Sequence, residues 1–336
     1  MFINKGVNAQ KPLTNNGIVN PQKSATFIDY ITLSIDGIED CPTYFKWFNY
    51  HLKKFSLTIS QRLAKVPPSY DLAYQLCLIN NQNLVCGSIK FSHLYQRLLL
   101  EFSGNGCAML AKQDNYSWLN IYVNQPVVSI KRLDIAYDDF NGSFPIQLVD
   151  KVYCRGGFNS CSGRRPLKDN VGERQKSRTR YIGGKSGYKL ACIYEKGKNL
   201  GSVSHPNWVR HEIRFRSNSR DLIPKEVLAN LDSYFFNAFP KAYKRLVNKV
   251  EYHSVVYRKN LEYACDLKTS LVHLRHQYGR KVKETADILG AQSTVQLLSR
   301  EGRSKSYKRL PFVSDEFLKA KFVTELQAVE IFKSSK

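Results

Sequence analysis

Thr179-Arg-Tyr-Ile-Gly-Gly-Lys-Ser-Gly-Tyr-Lys-Leu-Ala-Cys-Ile-Tyr-Glu-Lys-Gly-Lys198, a loop rich in Gly, Ser and Pro, and then Trp208-Val-Arg-His-Glu-Ile-Arg-Phe-Arg216 form the stretch around which the chain is read. Both flanks of the loop alternate with a period of two, as strands do. On the first, Tyr188, Leu190, Cys192, Tyr194 and Lys196 share a face. On the second, Trp208, Arg210, Glu212, Arg214 and Arg216 share one face, and Val209, His211, Ile213 and Phe215 the other. The apolar set is what a sheet buries. A row of arginines around one carboxylate exceeds what a solvated strand needs and suits a phosphate site. A tyrosine, a lysine and a carboxylate on paired strands are the parts of a phosphoryl-transfer site with a tyrosine nucleophile. The chain has 20 tyrosines, so residue type alone does not single out Tyr194; Tyr188 shares its face and Tyr181 opens the same block.

Upstream, Val127-Val-Ser-Ile-Lys-Arg-Leu-Asp-Ile-Ala-Tyr-Asp-Asp139 is a second clear strand. Arg132, Asp134, Ala136 and Asp138 lie on one face, and Leu133, Ile135 and Tyr137 on the other. Two carboxylates on one strand face are costly unless positive charge sits between them. A divalent cation supplies that charge, and hard oxygen ligands suit Mg2+ or Mn2+. Salt bridges to neighbouring arginines are the other solution open to this chain.

Taken in order, Arg132-Leu-Asp-Ile-Ala-Tyr-Asp-Asp139, Tyr181-Ile-Gly-Gly-Lys-Ser186, Ile193-Tyr-Glu-Lys196 and Trp208-x-Arg-x-Glu-x-x-x-Arg216 resemble the replication initiation factor family. Its members are rolling-circle initiators of small plasmids and filamentous phages, with related conjugative relaxases. The resemblance runs from about Ala25 to Val247. It implies an α+β fold, with a central, mostly antiparallel sheet, flanking helices and a C-terminal helical region. It implies Tyr194 as the nucleophile that nicks one DNA strand and keeps it as a 5′-phosphotyrosine. Lys196 and Lys198 are then candidates to stabilise the phenolate or the phosphorane charge, and Asp134, Asp138 and Glu212 to hold Mg2+ or Mn2+. The expected DNA contacts are Arg132, Arg164, Arg165, Arg178, Arg180, Lys185, Arg210, Arg214 and Arg216. The partners implied are single-stranded or extruded origin DNA, a host helicase and a DNA polymerase, with a homodimer left open. The place implied is the cytoplasm of a bacterial host. A conjugative relaxase and a non-catalytic DNA-binding phage regulator are the alternatives.

Composition agrees with an anionic polymer as partner. Among 336 residues, 51 Lys+Arg face 28 Asp+Glu, a formal net charge of +23, which favours nucleic acid over a membrane surface because no basic amphipathic helix stands out. No apolar run is long enough to span a bilayer, and the first ten residues lack the apolar centre of a signal peptide. The eight cysteines, at 41, 77, 86, 107, 154, 161, 192 and 265, form no Cys-x-x-Cys pair. They read as reduced, buried small hydrophobes rather than zinc ligands or a disulfide framework.

The rest of the chain divides into a disordered leader over 1–24, a catalytic domain over 25–255 and a helical region over 256–336 that is a candidate DNA reader. Thr26–Asp36 is the first strand and Thr43–Ala64 a helix. Tyr70–Ile79 and Leu84–Phe91 are strands joined at Asn80-Asn-Gln-Asn83. Leu98–Cys107 is a strand running into a Ser-Gly-Asn-Gly turn, either a plain tight turn or a phosphate cradle. Pro145–Tyr153 is a short helix. Residues 155–180 form a basic loop in which Arg164, Arg165, Lys168, Arg174, Lys176, Arg178 and Arg180 can follow a DNA backbone. Gly183-Gly-Lys-Ser186 is not a P-loop, because Thr179 stands where that motif needs glycine. His211 faces the apolar side, as a packing residue or an extra metal ligand. Helices are expected over Ile223–Lys249, divided or kinked at Pro240, over Asn260–Tyr278 with a stop at Gly279, and over Ser314–Phe332. A helical pair turning at Gly290 is either a helix-turn-helix or a small packing bundle.

Overall fold

The run with the clearest alternation, Val128–Asp139, becomes a strand at the middle of a ten-stranded sheet. The structure, a computed structural model, describes residues 24–63, 65–160, 162–172, 177–218, 222–247, 253–300 and 315–326. The expected leader, apart from Ser24, lies outside those residues, as do Cys161, Arg174 and Lys176. The strands are β1 (Phe27–Asp36), β2 (Leu57–Arg62), β3 (Leu72–Leu78), β4 (Asn81–Ser92), β5 (Arg97–Phe102), β6 (Val128–Asp139), β7 (Lys168–Val171), β8 (Thr179–Ile182), β9 (Lys189–Tyr194) and β10 (Val209–Arg216). They lie in the order β2-β3-β4-β5-β1-β6-β10-β9-β8-β7, and every neighbouring pair is antiparallel. The fold is α+β.

Alternation sorts the two faces. Ile31, Leu33 and Ile35 of β1, Leu133, Ile135 and Tyr137 of β6, Ile193 of β9, and His211, Ile213 and Phe215 of β10 form the buried apolar side. Six helices accompany this side: α1 (Cys41–Lys53), α2 (Gly104–Asp114), α3 (Ser117–Val123), α4 (Ile146–Cys154), α6 (Leu231–Ala238) and α7 (Pro240–Val247), with α5 (Lys196–Leu200) between β9 and β10. Phe48, Leu52, Leu110, Leu119, Val149, Phe235 and Tyr243 from these helices join the strand residues in one core. Burying side chains of this size contributes roughly 1.5–3 kcal/mol each, before the entropy of ordering them. The opposite face keeps the polar row. One end of it is crossed by the long helix α8 (Val255–Leu289), whose Leu261 and Cys265 pack with Phe140 and Trp208 in a second, smaller cluster. Helices α9 (Ala291–Leu298) and α10 (Asp315–Leu326) pack along α8. Among the described residues no helix is long and apolar enough to cross a membrane.

Several boundaries differ from the sequence expectation. The helix expected to reach Ala64 ends at Lys53, because Phe55 and Leu57 are fully buried on either side of a turn at Ser56 (φ 57°), and the β-branched Thr58 and Ile59 continue as an edge strand. The hairpin turn falls at Ile79-Asn80, two residues early, so Asn81 already pairs with Leu78. The segment expected as one helix over Ile223–Lys249 is broken twice within its described part, at Asn230 between a 3-10 turn (Lys225–Ala229) and α6, and before Pro240, the first residue of α7. Gly279 does not stop α8, which runs through it for another ten residues. A single glycine costs about 1 kcal/mol in a helix, less than the tertiary packing that a long element can gather. The Ser-Gly-Asn-Gly turn has a packing reason: a Cβ on Gly106 would stand 2.2 Å from the Cys86 carbonyl oxygen. The boundary expected at 255/256 falls at the first residues of α8, whose early turns pack on the sheet.

Candidate nicking site

Strand register arranges the polar face in rows. Thr179, Tyr194, Arg210 and Asp138 stand side by side across β8, β9, β10 and β6. Next come Tyr181, Cys192, Glu212 and Ala136, then Leu190, Arg214 and Asp134, and finally Arg216 with Arg132. On β1 an irregularity between Ile28 and Tyr30 inserts Asp29 beside this face. Its Oδ1 lies 3.4 Å from Nη1 of Arg210.

Every acid in these rows has a named partner. Asp138, almost fully buried, accepts from Nε and Nη2 of Arg210, both at 2.7 Å, and from the Trp208 indole at 2.8 Å. Burial alone would raise its carboxyl, but the bidentate guanidinium overrides burial and holds it below the usual carboxylate range. Asp134 accepts from Nε and Nη2 of Arg132 at 2.9 and 2.6 Å, with Nε of Arg214 at 3.6 Å. Here burial prevails and the carboxyl is raised. Glu212 accepts from the Tyr194 hydroxyl at 2.8 Å and from Nη2 of Arg214 at 2.9 Å. Burial raises it, and the Asp29 carboxylate raises it further. The Tyr194 phenol is pushed far above its ordinary value by burial and by Glu212 and Asp29, while Arg210 pulls the other way. The ring is half-buried rather than sealed in.

These distances revise the cation site expected from sequence. Asp134 and Asp138 are four residues apart on one strand, roughly 13 Å of backbone, and each is clasped by its own guanidinium. They do not converge on one ion together with Glu212. Among the described residues no three His, Cys, Asp or Glu side chains form a metal cluster. The carboxylate that acts on Glu212 is Asp29, with Arg210 3.4 Å from Asp29 and Arg214 2.9 Å from Glu212. Both carboxylates present hard oxygen donors, and their mutual repulsion raises Glu212. The methyl side chain of Ala136 lies between their strands. Two carboxylates completed by substrate phosphate and water are a common Mg2+ arrangement.

Other expected residues are placed as follows. Lys196 is buried, bonds Glu262 of α8 and lies 5.1 Å from the centre of the Trp208 ring. Lys198 bonds Glu195 at 2.9 Å. The cation that acts on the Tyr194 phenol is instead Arg210. Arg178 forms a bidentate pair with Glu195, and Arg180 one with Asp150, so both are engaged within the fold. Arg164, Arg165 and Lys185 are exposed. His211 is fully buried and stacked on Phe144, its imidazole pushed down to about 3 by burial, which makes it a neutral packing residue.

The sequence reading did not single out Asp29 or the first turns of α8. Arg258 lies 4.0 Å from Asp138 and over the Phe27 ring, while Glu262 meets Lys196, Lys259 and Arg210. Asp29 carried one readable signal, as an acid next to the apolar Phe27-Ile28 start of the first strand, but its bulge did not show in the sequence. The β9–β10 connection returns close to itself at Gly197, where a Cβ would stand 2.2 Å from the His205 carbonyl oxygen.

Comparison with known proteins gives the following. Residues 128–263 match the family model described as replication initiation factor. Among solved structures, a rolling circle replication initiator protein from Geobacillus stearothermophilus aligns with 20% identity over 61% of this chain and 78% of that one, with a TM-score of 0.44. DynU16, a putative protein of the dynemicin biosynthetic locus, aligns with 10% identity over 66% of this chain and 99% of that one, with a TM-score of 0.21. A search of curated proteins finds no match.

Proposed function

We propose, for a chain that belongs through residues 128–263 to the replication initiation factor family, that it opens one strand of an origin by tyrosine-mediated transesterification and starts rolling-circle replication. The observation that carries this reading is the Tyr194 phenol hydrogen-bonded to Glu212 inside a row of arginines. A neutral phenol is a poor nucleophile. Glu212 is placed to take its proton, and burial makes that carboxylate a stronger base than usual. Arg210, directly across from Tyr194, favours the phenolate as it forms. Arg214 and Arg216 continue the row as holders of backbone phosphates.

The Tyr194 oxygen bonds to phosphorus as the bond from phosphorus to the 3′-oxygen breaks. The products are a 5′-phosphotyrosine and a 3′-hydroxyl. The covalent link retains the energy of the phosphodiester, so the reverse step can rejoin the strand. Mg2+ or Mn2+, with Asp29 as the carboxylate beside the site that would hold it, would withdraw charge from the scissile phosphate. The free 3′-hydroxyl suits extension by a host DNA polymerase, with a host helicase opening the duplex, in a bacterial cytoplasm.

The test is to incubate the protein and its Tyr194→Phe variant with single strands from candidate origins, with and without Mg2+ or Mn2+. A covalent protein–DNA adduct formed by the parent and lost in the variant is the expected result. Adduct retained in Tyr194→Phe moves the nucleophile to another tyrosine. DNA binding with no adduct under any condition points to a non-catalytic regulator.

A further inference from the structure

The polar face continues beyond the phenol. At its far end Arg132 and Arg216 are direct cross-strand partners, and Arg214 lies two residues from Arg216 on the same strand face. Like charges placed directly opposite each other in a sheet are unfavourable. The acids nearby do not balance them: Asp134 is shared by Arg132 and Arg214, and Glu212 serves Arg214 and Tyr194. For Arg216 the hydrogen bond seen is to the Lys185 carbonyl. Its charged form is disfavoured by burial and then by Arg132. Arg132 and Arg214 are held in their charged form by Asp134 and Glu212, so Arg216 is the guanidinium that an anion would relieve.

Two aromatic rings flank this cluster. The Arg132 guanidinium carbon lies 4.3 Å from the centre of the Tyr30 ring, and that of Arg214 lies 5.9 Å from the centre of Tyr181. Both rings are half-buried. Burial raises the Tyr30 hydroxyl, and the Glu101 carboxylate raises it further. A flat ring, a stacked guanidinium and an unbalanced arginine together match a nucleotide. A base stacks on aromatic or guanidinium planes, and its phosphate meets the neighbouring cation.

We propose that Tyr30 and Arg132, with Arg216, form a stacking subsite for a nucleotide of single-stranded DNA a few nucleotides along from the scissile phosphate, since Arg216 stands six residues along β10 from the Arg210 that faces Tyr194, roughly 20 Å of backbone. Tyr30 and Arg132 bear the base, and Arg216 its phosphate. The inference rests on the strand-nicking reading for its substrate, but its test does not depend on chemistry.

The experiment compares two fluorescent oligomers in the Tyr194→Phe background: oligothymidylate of about 12 nucleotides, within the range of single-strand site sizes, and an abasic oligomer of the same length. Tyr30→Ala should weaken oligothymidylate binding by about 5-fold or more, since stacking on one side chain contributes roughly 1–3 kcal/mol, and leave the abasic oligomer unchanged. Tyr30→Phe should keep the parent affinity. Arg216→Ala should weaken both oligomers and reduce the log–log salt slope by about 0.7, the share of one single-strand phosphate. If Tyr30→Ala fails to fold, Tyr30→Leu keeps the apolar bulk without the aromatic face and should behave like it. Equal loss for the two oligomers, or no loss for either, overturns the subsite. Adduct formation by the parent protein, measured separately, decides the nicking reading whatever the subsite result.

Discussion

The Tyr194 hydroxyl donates to Oε1 of Glu212 at 2.8 Å, while the other oxygen of the same carboxylate accepts from Arg214 at 2.9 Å. One carboxylate thus joins the phenol to the arginine row, and its orientation is fixed from both sides. Burial raises both groups, so a neutral phenol and a comparatively basic acceptor face each other across one hydrogen bond.

Replacing that acceptor should separate chemistry from structure. Glu212→Gln keeps the shape and an oxygen acceptor but removes the base. Adduct formation should slow by about 10²–10⁴-fold, the usual contribution of a positioned base, with little change in the thermal midpoint. The rate profile of the parent should rise with pH through the ionisation of a carboxyl above its ordinary range. A Glu212→Gln protein that reacts at the parent rate would place the base elsewhere.

Asp29 supplies the test of the cation. Mn2+ should raise the thermal midpoint of the parent protein without DNA, because a ligand bound only to the folded state stabilises it; at a hundred times the dissociation constant the gain is about 2.7 kcal/mol. Asp29→Asn should remove most of that rise. An undiminished rise in Asp29→Asn means that the ion binds at another place.

Asp138 has a structural task. Its carboxylate neutralises the buried Arg210 guanidinium through two hydrogen bonds of 2.7 Å. Asp138→Ala strands that charge and should cost about 3–5 kcal/mol, measured by denaturant unfolding. A loss below about 1 kcal/mol, the range of exposed ion pairs, would contradict the clasp.

Glu195 sets part of the acid limit of stability. Burial raises its carboxyl, but Arg178 and Lys198 outweigh burial and hold it at about 2, against 4.5 for the ordinary group. A carboxyl depressed by folding stabilises above its unfolded value and loses that stabilisation as pH falls toward the folded value. The contribution, about 2–3 kcal/mol by order of magnitude, should be complete above pH about 4.5 and fade toward pH 2. Glu195→Gln should flatten this part of the stability curve, followed by urea unfolding at several pH values. An unchanged acid limb would show that the pair with Arg178 does not operate in solution.

What could be read from sequence follows the reach of each signal. Alternation reports local geometry, so it placed Asp134, Asp138, Arg210, Glu212, Arg214 and Arg216 on one side of β6 and β10, and His211 on the other. It does not report which cation each acid meets, because Arg210 reaches Asp138 only through strand pairing. The spacing of Asp134 and Asp138 was legible as well, and by itself it forbids a shared ion. Asp29 enters through a register shift, and Glu262 through the docking of a helix more than sixty residues from Lys196 in sequence; neither event leaves a local pattern. The Thr43–Ala64 periodicity misled because a helix and an edge strand follow each other with only a short turn between them.

The order of strands has a consequence for synthesis. β1 pairs with β6, about a hundred residues later, and α8 closes the end of the same face. A ribosome must therefore release Asp29 early, Tyr194 later and Glu262 last of these before the face is assembled. A nascent polypeptide that carries only some of them holds polar side chains without their neighbours, so the face is completed late in translation.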